Sequence, residues 1–115
     1  MVTIDTVKQL ALAYEAAEEH PHFDRISFRV KKKIFATIDI KRNRVTLKLS
    51  EMDQDIFSNM AKDTIYAVPN KWGKHGWTFI ELETVDLEVM KGALTAAYCE
   101  VASKKLAAKY LGRLE

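Results

Sequence analysis

Cysteine, proline and glycine are scarce in this sequence, and each scarcity excludes a class of protein. The only cysteine among the 115 residues is Cys99, so a disulfide bond within the chain is impossible and a reducing compartment is the expected setting. Two prolines and four glycines are too few for a collagen-like or low-complexity chain. The sequence contains no glycine-rich phosphate loop, dinucleotide-binding turn or serine elbow, so those enzyme classes are not indicated.

Long apolar runs are missing as well. No stretch approaches the roughly 20 apolar residues that a membrane-spanning helix needs. The first residues lack the basic segment followed by an apolar run that is typical of a signal peptide. We therefore expect a cytoplasmic protein with no membrane partner. With 48% hydrophobic and 30% charged residues, the composition is that of an ordinary globular chain, and we expect one domain over residues 1–115.

Charge is distributed unevenly along the chain. Nine Lys or Arg residues lie between Arg25 and Lys48 against a single acid, Asp39, so this segment carries +8. The formal net charge of the chain is only +2, so the rest of the chain carries −6. Segregation of this kind is informative about partners rather than about fold.

The spacing of apolar residues predicts a mixed α+β fold. Helices are expected over about residues 4–18, 50–62 and 86–111, with the first ended by the His20-Pro21 step and a break in the last near Ser103. Strands are expected over residues 26–30, 34–40, 45–49, 64–70 and 77–83. The order α-β-β-β-α-β-β-α predicts two layers, an antiparallel five-stranded sheet with the helices packed on one face. The residues predicted to form the core are Phe28, Ile34, Ile38, Leu47, Leu94 and Tyr98.

Basic side chains alternate with apolar ones along the first three predicted strands. Neighbouring strands lie about 4.8 Å apart, so these cations would form a patch that can neutralise phosphates. Phe35, expected on the same side, would stack on an exposed base. The alternatives are that the patch is only the polar outer side that keeps a sheet soluble and unpaired, or that it binds an acidic protein partner. Its members are Arg29, Lys31, Lys33, Lys41, Arg44 and Lys48, with Arg42 in the adjoining turn.

The segment "KWGKHGW" is the second candidate contact. Lys71, Trp72 and Lys74 interleave cations with an aromatic ring on what reads as a flexible loop with two glycines, a composition that suits nucleic acid or a protein partner. Trp77 begins the next predicted strand and is expected in the core. Trp72 is the ring expected to be exposed.

Other chemistry is sparse. His20 and His22 with Asp24 have no evident fourth ligand, and a turn explains them, so no metal site is predicted. Cys99 is expected to be a partly buried structural thiol, because no histidine lies near it in sequence. We predict no catalytic residue, no cofactor and no enzyme activity.

Four segments of the chain resemble MmcQ/YjbR-like proteins: "HFDRISFRVKKKIFATID", "VTLKLS", "YAVPNKWGKHGWTFIELE" and "LTAAYCEVASKKL". The resemblance implies a secretion-chaperone-like fold with the element order given above. It also implies a likeness to the double-wing DNA-binding domain of the phage transcription factor MotA. Such proteins are labelled DNA-binding by that likeness of shape, and fold alone does not settle function.

Two functions follow as expectations from the sequence. The first is non-catalytic DNA binding, in which the basic sheet face and the 71–77 loop contact phosphates. The second is a protein-interaction module of secretion-chaperone-like fold, with no role in nucleic-acid binding. In either case we expect a monomer or a weak homodimer.

Overall fold

One antiparallel sheet of six strands, in the order β1-β2-β3-β4-β6-β5, organises the chain. The computed structural model describes residues 1–111. The helices are α1 (Ile4–Leu12), α2 (Glu51–Met60), α3 (Lys71–Lys74), α4 (Leu87–Val101) and α5 (Lys104–Leu111). The strands are β1 (Ala17–His22), β2 (Arg25–Val30), β3 (Lys33–Asp39), β4 (Arg44–Lys48), β5 (Ile65–Ala67) and β6 (Trp77–Glu81). The predicted α+β class, with helices against an antiparallel sheet, is confirmed.

The first helix is shorter than predicted, and a sixth strand takes its place. α1 ends at Leu12, the chain reverses at Ala16 with a φ of 66°, and β1 pairs antiparallel with β2. Pro21 is tolerated because β1 is an edge strand, where one side of the backbone needs no ladder hydrogen bond. The prediction of a helix to residue 18 and of five strands was therefore wrong in this segment.

The core lies between the sheet and α4, which packs across β3 and β4. Of the predicted core residues, Phe28, Ile38, Leu47, Leu94 and Tyr98 are fully buried. Ile34 is only partly buried, so its assignment to the core was wrong. The face of the sheet that packs against α4 is called the inner face below, and the opposite face the outer face.

A β-bulge in β3 explains the error at Ile34. The register pairs Phe28 with Ala36 and Arg29 with Ile34, which leaves Phe35 without a partner. Phe35 and Ala36 therefore both enter the core, as the two residues on the bulged strand often do. Phe35 contacts Tyr98 edge-on, with ring centroids 5.5 Å apart. The prediction that Phe35 lies on the outer face and stacks on a base was wrong.

The break predicted near Ser103 is confirmed. α4 ends at Val101, and Ala102 is extended with a ψ of 160°. The Ser103 hydroxyl then accepts a hydrogen bond from the Leu106 amide at 3.3 Å, which is the geometry of a helix N-cap.

The apolar stripe of α2 turns largely toward solvent. Met52, Ile56 and Met60 recur every four residues and are 73%, 49% and 58% exposed, whereas Phe57 packs against the core. This stripe is called the α2 stripe below.

Candidate nucleic-acid interface

The outer face of the sheet is open to solvent. Alternate residues on its central strands point away from the core and are only partly buried, among them Ser27, Thr37, Thr46 and Phe79. Their neighbours in sequence, such as Ile26, Ile38, Val45 and Ile80, are buried on the inner face. The outer face is therefore where the sheet can meet a ligand.

A groove of about 320 Å³ lies on the outer face. Thr37 and Thr46 are opposite each other on β3 and β4 and provide small polar groups. Trp72 is 54% exposed, so its ring is largely unpacked. The full lining is Arg25, Thr37, Thr46, Val68, Trp72, Trp77 and Phe79. This groove is called the aromatic groove below.

Trp77 is half-buried on the outer face, so its prediction as a core residue was wrong. The next residue along β6, Thr78, lies on the inner face and is fully buried. The Thr78 hydroxyl donates to the Gly76 carbonyl at 2.9 Å and accepts from the Gln54 amide at 3.1 Å. These bonds compensate for burying a hydroxyl and leave both Trp77 and Phe79 on the opposite side.

The segment between β5 and β6 is an ordered turn of helix rather than the flexible loop predicted. The Asn70 side chain accepts a hydrogen bond from the Trp72 amide at 2.8 Å, and the Gln54 amide donates to the Gly73 carbonyl at 3.0 Å. Gly76 has a φ of 98°, and a Cβ there would lie 1.8 Å from the Leu49 carbonyl oxygen. Backbone contacts of this kind fix the position of Trp72 beside the sheet.

Arg44 is held inside a local network. Its guanidinium lies 3.8 Å from the centroid of the Phe79 ring, donates to the Tyr66 hydroxyl at 3.4 Å and is 3.8 Å from the Glu81 carboxylate. The Tyr66 hydroxyl also donates to Glu81. Only 21% of the Arg44 side chain is exposed, so its main contribution is to support Phe79 and the sheet.

Asp39 is a buried carboxylate at the edge of the outer face. Arg25 and Arg42 approach it to 3.3 and 3.2 Å, and the Arg42 amide donates to it at 3.1 Å. Burial alone would raise the pKa of Asp39, but the two hydrogen bonds from Arg42 and the charge of Arg25 outweigh it and lower that pKa. Both arginine side chains remain more than half exposed.

Stability should therefore depend on the charge of Asp39. Because its pKa is lowered in the folded state, its contribution is present above about pH 3.9, the ordinary value for aspartate, and is lost as the pH falls through the folded value. We expect Asp39→Asn to lower the free energy of unfolding measured by urea denaturation at pH 7, and to make a smaller difference at pH 2. An equal loss at both pH values would show that the charge of Asp39 does not matter.

The predicted cations are not all in one patch. Lys31 lies in the β2–β3 turn, and Lys33 pairs with Val30, which belongs to the inner face. Lys41 and Arg42 lie in the turn at the other end of β3, roughly 20 Å away at about 3.4 Å per residue. The placement of Lys33 on the outer face was therefore wrong.

Trp72 lines the aromatic groove, and three predicted lysines lie on elements that contribute to it. Lys48 pairs with Trp77 in the register, and its ammonium donates to the Leu49 carbonyl at 3.4 Å. The Lys71 ammonium lies 5.9 Å from the centroid of the Trp72 ring, and Lys74 is exposed on the same turn of helix. Arg29 is half-buried on β2, opposite Glu18 of β1, and is not among the residues that line the groove.

Of the seven residues that line the groove, only Trp72 was in the predicted site, and Arg25 and Phe79 are two of the six that were missing. Arg25 was counted only as part of the basic segment, because nothing in the sequence indicated that Asp39 would hold it over the sheet. Phe79 shares one face of its strand with Trp77, and because the sequence assigned Trp77 to the core, the same reasoning placed Phe79 there too.

The buried phenol of Tyr98 and the thiol of Cys99 have structural roles. Tyr98 donates to the Glu15 carbonyl at 2.6 Å, and burial, with the nearby Tyr110 and Glu15, raises the pKa of Tyr98 to about 12. Burial, with the charge of Asp53, also raises the pKa of the Cys99 thiol. That thiol is therefore protonated at neutral pH and a poor nucleophile.

Across residues 1–111 no three His, Cys, Asp or Glu side chains group as metal ligands, and no helix combines the length and apolarity needed to cross a membrane.

Comparison with known proteins identifies relatives by sequence and by fold. The model of the YjbR family matches residues 12–100. The crystal structure of Deinococcus radiodurans protein DR2400, a DUF419 domain, is similar with a TM-score of 0.78 at 24% identity, covering 97% of this chain and 89% of that chain. At that identity the likeness shows a shared fold. No curated protein matches the chain.

Proposed function

The chain belongs to the YjbR family, as the resemblance of its sequence indicated, and we propose that it is a non-catalytic nucleic-acid-binding protein of the cytoplasm. The observation that carries the proposal is the aromatic groove on an open sheet face, with Arg25 in its lining and Lys71 against the Trp72 ring. Exposed rings beside Lys and Arg are the combination by which proteins hold nucleic acids with little sequence preference.

Phosphates are the expected contacts of the cations. Lys71 and Lys74 are exposed beside the groove, and Lys41 is exposed at the end of β3. Arg25 and Arg42 both pair with the carboxylate of Asp39, so the cluster of these three side chains keeps a net positive charge. None of these elements is a long helix that could enter a major groove and read base edges. Binding should therefore depend strongly on salt and weakly on sequence.

Charge reversal tests this proposal. We expect Lys41, Lys71 and Lys74 replaced together by Glu to abolish or greatly weaken binding of labelled DNA in a fluorescence-anisotropy titration at low salt. For wild-type protein on duplex DNA, the slope of log affinity against log salt should be about −0.9 for each phosphate contacted. The three lysines are exposed, so the fold should persist.

Lys104, Lys105 and Lys109 provide the control for net charge. They are exposed too but lie on α5, in the helical layer, and because Lys109 pairs with Glu15, circular dichroism must show that the control variant remains folded. Their reversal to Glu changes the net charge by the same amount and should reduce binding much less. Equal losses from the two triple variants would indicate attraction by net charge alone, and no binding by the wild type to duplex or single strands would reject the proposed function.

A protein-interaction module is the second candidate, and the α2 stripe favours it. Met52, Ile56 and Met60 expose flexible apolar side chains on one side of a helix, a composition found at adaptable protein contacts. If the wild type does not bind nucleic acid, this surface becomes the first to test, beginning with self-association by analytical ultracentrifugation.

A further inference from the structure

Resting on the proposed function, we infer that the aromatic groove takes an unstacked base, so that the protein prefers single-stranded nucleic acid to duplex. The inference starts from the arrangement of rings. Trp72, Trp77 and Phe79 reach the groove from α3 and β6, and Thr37 and Thr46 contribute only small side chains. The arrangement leaves space for a flat ring against the sheet.

The three rings differ in how freely they can stack. One face of Phe79 is covered by the Arg44 guanidinium at 3.8 Å, and Tyr66 meets its ring edge-on at 5.6 Å. Phe79 therefore forms a fixed side of the groove and is less free to stack on a ligand. Trp72 is more than half exposed, and the Lys71 ammonium lies over one face of its ring at the longer distance of 5.9 Å from the centroid. Trp72 is thus the ring with surface to offer to a ligand, beside a cation that suits an adjacent phosphate.

Charge complementarity identifies the ligand that carries such a ring. Arg25 of β2 lines the groove, Lys48 of β4 pairs with Trp77 in the register, and Lys71 and Lys74 lie on α3, the helix that carries Trp72. A polyanion bound in the groove would meet Arg25 directly and would have these lysines on neighbouring elements. Asp39 is a buried acid that contacts Arg25, and Arg42 pairs with it as well, so its charge is more than compensated.

A duplex can place a base in the groove only at a cost in free energy. Its bases are paired and stacked, so only its phosphates would reach the cations unless a base were flipped out. In a single strand the bases are free to unstack and meet aromatic side chains. The groove therefore adds an interaction for single strands that duplex DNA lacks.

The test compares one labelled single-stranded oligonucleotide with the duplex formed from it and its complement, at equal salt. Wild type should bind the single strand more tightly. Trp72→Ala should weaken single-strand binding by about 5- to 150-fold, the range of one lost stacking interaction. Duplex binding should change by less than about twofold, because phosphate contacts remain. Trp72→Phe retains a ring and should lose less than Trp72→Ala.

Phe23→Ala is the matched control, because Phe23 is a 92% exposed aromatic residue that does not line the groove. Its removal should leave both affinities unchanged. Equal or tighter wild-type binding of the duplex, or an equal loss of both affinities in Trp72→Ala, would overturn the inference while the phosphate-binding function stands. Absence of all binding would instead reject the proposed function itself.

Discussion

Replacing Phe35 by alanine is expected to lower the free energy of unfolding by about 3–5 kcal/mol, the usual cost of truncating a buried phenylalanine. Phe35 is fully buried and contacts Tyr14 and Tyr98 edge-on, with ring centroids 6.2 and 5.5 Å away. Both tyrosines come from the helical side of the core, so the truncation would leave a cavity between sheet and helices. Urea denaturation followed by circular dichroism measures the loss.

The adjacent residue provides the control. Ile34 is only partly buried and lies on the outer face, because the bulge leaves Phe35 unpaired. Ile34→Ala should therefore cost much less, about 1 kcal/mol. Strict alternation along β3 predicts the opposite ranking, with Ile34 the costly position. A larger loss at Ile34 than at Phe35 would show that the bulge is absent.

Leu94→Ala is expected to cost about 2–5 kcal/mol, because truncation of a buried leucine loses both apolar burial and packing. Leu94 is fully buried on α4, which crosses β3 and β4. The substitution favours helix formation locally, so the loss reports on packing rather than on helix propensity. Chemical denaturation at pH 7 measures it.

Leu87 is the matched leucine on the same helix. It lies in the first turn of α4 and is 40% exposed, so Leu87→Ala should cost about 1 kcal/mol or less. A loss well under 1 kcal/mol at Leu94, or one no larger than that at Leu87, would mean that α4 faces the sheet with its other side.

Periodicity predicted the elements whose burial alternates regularly. β2 and β4 bury every second residue, and α4 buries a stripe, so hydrophobic spacing was sufficient there. β1 has the sequence "AEEHPH", which carries no apolar alternation. It is a strand because β2 provides a free edge for pairing, and pairing between distant segments leaves no local signal in the sequence.

The site was harder to predict than the fold. One extra residue in β3 moves Phe35 inward and Lys33 off the outer face, and an inserted residue cannot be recognised from composition. In β6 a hydrogen-bonded threonine is buried while two aromatic residues face outward, which reverses the assignment that hydrophobicity favours. The basic residues remain a predicted contact surface, but carboxylates from other strands engage two of them, Arg25 and Arg44, which the sequence did not indicate.

The most direct test of the outer face as the binding surface is a two-dimensional ¹H–¹⁵N NMR titration with a single-stranded oligonucleotide. The chain has two tryptophans, and both line the aromatic groove, so their indole N–H signals report on it. We predict that these two signals shift, together with the amides of Thr37 and Thr46, while those of α5 do not. Shifts confined to Met52, Ile56 and Met60 of the α2 stripe, or no shifts at all, would contradict the account.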